Sequence, residues 1–82
     1  MKMIWIRVSI YPNPSQGVVS IESAINIDLI EILGISGEVI QIIRPNSTGK
    51  LQFELAKEDG FYLVVLHTSA GLLTKKILVH NN

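Results

Sequence analysis

Apolar residues recur along the chain with a period of two. Ile4, Ile6, Val8 and Ile10 alternate with Met3, Trp5, Arg7 and Ser9, which predicts a first strand. Tyr11-Pro12-Asn13-Pro14-Ser15-Gln16-Gly17 stops it. Each proline removes a backbone donor and biases the residue before it toward extended geometry, so this segment reads as a rigid turn. Val18 to Glu22 follows as a short strand, with Ser23-Ala24 a tight connection. Ile25, Ile27 and Leu29 then alternate with Asn26 and Asp28, until Ile30 and Ile32 take over around Glu31. That change of phase predicts a β-bulge or a switch between sheets.

Gly34-Ile35-Ser36-Gly37 has the residues of a turn, and Glu38 to Ile43 reads as the next strand. Arg44 to Lys50 reads as a loop, and Leu51, Phe53 and Leu55 as the apolar face of a fifth strand. Ala56 to Gly60 is a turn or a single helical turn. Phe61 to Thr68 and Leu72 to Val79 are strands joined by Ser69-Ala70-Gly71, the sequence of a three-residue hairpin loop with a G1 bulge. About seven short strands with regular turn signals predict an all-β sandwich.

Composition supports that class. The chain has 13 Ile, 7 Val and 9 Leu but only 3 Ala, a bias toward residues that fit a pleated surface. With 48% hydrophobic residues in 82, it makes one packed domain, and disorder is excluded. Seven basic residues balance seven acidic ones, so nucleic acid is not the expected partner. The longest wholly apolar run, Phe61 to Leu66, is far below the ~20 residues a spanning helix needs, so no transmembrane segment is expected. Met1 to Ile6 is interrupted by Arg7 and has no small-residue cleavage site, so it does not read as a signal peptide.

Candidate chemistry is sparse. The chain has no cysteine and two histidines, His67 and His80, so neither a disulfide framework nor a metal or other cofactor site is expected. Ser36, His67 and Asp28 or Asp59 offer the residue types of a catalytic triad, but no nucleophile elbow accompanies them. The Gly34–Gly37 segment lacks the glycine count of a phosphate loop. Asn46-Ser47-Thr48 fits a three-residue glycosylation pattern that is common by chance. Lys75 and Lys76 read either as a partner contact or as guards on a terminal edge strand. No enzyme emerges.

Three segments together resemble a known family. Tyr11-Pro12-Asn13-Pro14 with Gly17 resembles the YPNPxxG opening of the type A C-terminal sorting domains of the type IX secretion system. Ile30 to Val39, turning at Gly37, resembles the family's middle motif. Gly60-Phe61-Tyr62 followed by Leu63 to Leu66 resembles its G-x-Y-apolar strand, and Gly71, Thr74, Lys75, Lys76 and Ile77 fall on the closing G…TKK-apolar pattern. The resemblance covers residues 8–79. Three positions depart from it: Gly34 where Asp or Asn is common, Lys57 where Leu is usual, and Val65 where a polar residue is common.

The resemblance implies an immunoglobulin-like sandwich and a targeting role in Bacteroidota-type bacteria. Such proteins cross the inner membrane on a signal peptide. The sorting domain then directs passage across the outer membrane, and a sortase removes it at the cell surface. It implies translocon and sortase proteins as partners, with recognition on the closing hairpin at Gly60, Tyr62, Gly71, Lys75 and Lys76. The chain is then expected to be a single sorting domain, residues 1–82, from a longer exported protein. Two rival readings belong to other classes. A carbohydrate-binding or adhesion module would rest on exposed aromatics, chiefly Trp5 and Phe61. A self-associating domain would use an edge strand or the outward row of Phe61 and Val65.

Overall fold

The computed structural model describes residues 8–81. Six strands follow one another: β1 Val8–Tyr11, β2 Val18–Gly34, β3 Val39–Ile43, β4 Ser47–Glu54, β5 Gly60–Thr68 and β6 Gly71–Val79. All pair antiparallel, and no helix occurs among the described residues. The all-β class holds, with six strands in place of about seven. The first expected strand lies partly outside the described residues, and its Val8–Ile10 portion is β1.

The count falls because β2 is one strand of 17 residues where two were expected. Ser23-Ala24 is a bend inside it, not a connection. Ser23 is buried, and its hydroxyl donates to the Ile25 carbonyl and accepts from the Ile25 N–H at 3.1 Å. The side chain thus satisfies backbone groups where the ladder is irregular, since the register with β4 shifts between Ser23 and Ile27. The phase change read from the sequence is present. Val19, Ile21 and Ile27 are buried in one phase and Ile30 and Ile32 in the other. The register with β5 shifts between Ile27 and Leu29, as a bulge requires.

β2 organises everything else. Glu22 pairs with Ser9 of β1 and Lys50 of β4, so these strands flank it on opposite sides. Ile27 pairs with Ser47 of β4 and Thr68 of β5, and Ile30 with Ile43 of β3 and Leu66 of β5. β4 and β3 therefore share one flank of β2, and β1 and β5 the other. β6 adds to β5 from Gly60↔Val79 to Thr68↔Gly71. The sheet curls around a core of Val8, Val19, Ile21, Ile27, Ile30, Ile32, Leu55, Val64, Leu66, Leu73, Ile77 and Val79. These are the alternating aliphatic positions of the sequence, and burying each is worth about 1.5–3 kcal/mol.

Two boundaries differ from expectation. Ser47 to Lys50, expected in a loop, is the first half of β4 and pairs with Ile27, Ser23 and Glu22. The hairpin before β6 has the two-residue loop Ser69-Ala70, because Gly71 already pairs with Thr68. Gly71 keeps the positive φ of +123° that the turn requires. The Thr68 hydroxyl closes the loop, accepting from Ala70 N–H and donating to the Gly71 carbonyl.

Candidate functional site: a clasp on the final strand

The turn between β1 and β2 reaches across to the free edge of β6. Asn13 uses its amide as a strand would use its backbone. Its Nδ2 donates to the Lys76 carbonyl at 3.1 Å, and its Oδ1 accepts from Leu78 N–H at 3.0 Å. Ser15 continues the pairing with real backbone: its N–H donates to the Leu78 carbonyl and its carbonyl accepts from His80 N–H, both at 2.8 Å. A short parallel bridge, Ser15↔Val79, results. The edge of β6 from Lys76 onward is covered.

The clasp is itself held from below. Ser15 is buried, and its hydroxyl donates to the Val18 carbonyl and accepts from Gly17 N–H. Gly17 adopts φ +116°, and a Cβ there would lie 2.7 Å from the Ala56 carbonyl oxygen. Only glycine fits, which accounts for this position of the motif. The Gly17 carbonyl in turn accepts from Leu55 N–H at 2.6 Å, tying the turn to the end of β4. Both peptide bonds preceding Pro12 and Pro14 are cis. Tyr11 donates its phenol to Glu22, and that bond pushes the phenol's pKa up.

A second tie secures the chain just beyond β6. Asn81 N–H donates to Asp59 Oδ1 at 3.0 Å, and its Nδ2 donates to the Lys57 carbonyl. The bond from the Asn81 N–H holds the Asp59 carboxyl below the usual range. His80 Nδ1 lies 3.5 Å from the other Asp59 oxygen. The backbone carbonyl of Lys57, a departure from the motif, thus takes part in fixing the turn before Gly60.

The other motif residues divide by role. Gly60 and Gly37 adopt φ +149° and +95° at their turns, and Gly37 N–H donates to the Gly34 carbonyl. Tyr62 pairs with buried Ile77 and packs against the core, while its hydroxyl donates to the Glu58 carbonyl. Lys75 and Lys76 are both exposed but sit on opposite faces of β6, as neighbours in a strand must. Lys75 pairs with buried Val64, so it lies on the core-facing side at the rim, bordering an open groove of about 520 Å³ between β6 and β1. Lys76 faces outward with its Nζ 5.0 Å from the Phe61 ring centroid.

The residue types of a triad are all engaged elsewhere. His67 Nε2 lies 2.6 Å from Glu31 Oε1, Ser36 donates to Glu38, Asp28 accepts from Asn26, and Asp59 accepts from Asn81. No group of three metal-ligating side chains forms among the described residues. Trp5, on which glycan binding would rest, lies outside the described residues. Asn46 sits at φ +46° with its side-chain oxygen bonded to Asn26.

Sequence reasoning passed over Ser15 and Asn81, and weighed Asp59 only as a residue type of a triad. Ser15 falls at a variable position of the motif, and only its burial reveals its part. Asp59 and Asn81 are 22 residues apart, with nothing local to link them.

The described residues form a curled all-β domain whose opening turn pairs with its final strand. The chain belongs to the secretion system C-terminal sorting domain family, whose model matches residues 9–80. No curated protein matches the chain. Family membership makes the domain a type IX secretion sorting signal, one that engages the secretion machinery and directs export across the outer membrane to the cell surface or beyond.

Proposed function

We propose that this chain is the sorting piece of a longer exported protein, and that translocon components and a surface sortase read its closing hairpin, Gly60 to Val79. The precursor enters the periplasm on a signal peptide of its own, and the sortase releases the domain once the cargo has crossed. The observation that carries this reading is the family match over residues 9–80. The clasp supports it, because it holds the last strand in a defined shape. A rigid element is recognised at a lower entropic cost than a mobile tail.

Within the hairpin the roles separate. Gly60 and Gly71 shape the turns, Tyr62 is a packing residue, and Lys75 and Lys76 are the exposed groups that steer a partner. Because the lysines occupy opposite faces, the two single charge reversals tell which face is read. The test is export of a fused reporter cargo in a host with this secretion system. Lys75→Glu with Lys76→Glu is expected to block surface display while the domain keeps its fold. Normal display of that fusion overturns the reading of the hairpin.

A further inference from the structure

β3 differs from every other strand here in being apolar and exposed on both faces. Val39 is 54% exposed, Ile40 49% and Ile42 48%, and Ile35 in the preceding turn reaches 63%. On one side β3 pairs with β2; among the described residues nothing pairs with its other side. Its backbone therefore offers unpaired donors and acceptors next to uncovered isoleucines. Such an edge is a template for a further strand.

The pattern of charge favours one occupant. The strand itself carries none, but Glu38 precedes it and Arg44 follows it, each three residues from Gln41. Antiparallel pairing of two such strands about Gln41 brings the Glu38 end of each copy to the Arg44 end of the other, once at either limit of the pair. Parallel pairing brings like charges together. The central contacts are then Ile40 beside Ile42 and Val39 beside Ile43, which are favourable aliphatic pairs. A formal net charge of zero leaves no general repulsion between copies.

We infer that β3 is a self-association site, at which two copies of this chain join antiparallel through Val39–Ile43 to continue one sheet across a two-fold axis. The surface is distinct from the closing hairpin and goes beyond the sorting role. Export is not measured in its test, so the two readings fail separately.

The experiment is sedimentation equilibrium of the chain from micromolar to near-millimolar concentration. A reversible dimer is expected. Ile42→Lys, at an exposed position, is expected to weaken it by on the order of tenfold or more while circular dichroism and melting stay as in the parent. Glu38→Arg is expected to weaken it several-fold, and Glu38→Arg with Arg44→Glu to restore it. Phe61→Lys, on the outward row of β5, is expected to leave it unchanged. A monomer at all concentrations overturns the proposal, as does a dimer that survives Ile42→Lys or is dispersed by Phe61→Lys. Failure of the charge swap to restore association overturns the antiparallel register.

Discussion

β6 and β3 lie at opposite limits of the sheet, and each presents an edge that another chain is able to join. They treat it differently. β6 is covered from Lys76 onward by Asn13 and Ser15, and where its edge is open Lys75 sits on the core-facing side. An inward charge at an edge and a covering loop are two of the usual defences against strand addition. β3 has neither. Its one interruption is a bulge against β2 between Ile32 and Leu33. The outward row of Phe61 and Val65, a candidate for self-association on sequence grounds, is the lesser patch: Val65 is half-buried and Phe61 lies beneath Lys76. Apolar content therefore does not mark a sticky edge; what matters is whether the backbone beside it is already satisfied.

Breaking the clasp is the most direct way to erase that contrast. Gly17→Ala forces a side chain against the Ala56 carbonyl in a left-handed backbone, and is expected to cost about 3 kcal/mol in urea denaturation. Ser15→Ala leaves the buried Gly17 N–H without its acceptor and is expected to cost about 1–3 kcal/mol by the same measurement. Asn13→Ala removes two bonds at the surface, for about 1 kcal/mol, and speeds amide exchange at Leu78 with little change in the centre of β5. Slower exchange at Leu78 than at the outward amides of β3 in dilute protein measures the difference between the two edges directly.

The smallest effect is a pH dependence at each edge. Asp59, beside the end of β6, is held low by Asn81 N–H, and Glu38, at the start of β3, by the Ser36 hydroxyl. A carboxyl depressed in the folded state contributes stability above its unfolded value, near 3.9 for Asp and 4.3 for Glu, and loses it as pH falls through the folded value. Carboxyl chemical shifts followed through acid are expected to titrate below those ordinary values. Asp59→Asn is expected to flatten the acid limb of stability. A midpoint for Asp59 at the ordinary value in the parent would contradict the Asn81 tie.

Much of this was legible in one dimension. Period-two alternation located β1, β3, β5 and β6 to within a residue or so over the described range, and the phase change after Leu29 marked the bulge in β2, whose register with β5 shifts between Ile27 and Leu29. Local signals misled where partners decide. Ser23-Ala24 looks like a turn, yet a strand with neighbours on both sides runs through it. Arg44 to Lys50 has loop composition, but Glu22, Ser23 and Ile27 supply a ladder that extends β4 over Ser47–Lys50. The motif residues were visible as a pattern, whereas the reason for Asn13 was not, since its partners lie 63 and 65 residues away.

Sequence alone determined the strand class, the buried aliphatic set and the family pattern, because alternation and turn chemistry are local properties of the chain. Tertiary structure decided which edges are closed. Whether a backbone donor meets an acceptor depends on what the fold carries alongside it. The Glu38–Ile43 run reads in sequence as one more strand, and among the described residues no neighbour covers the outer side of β3.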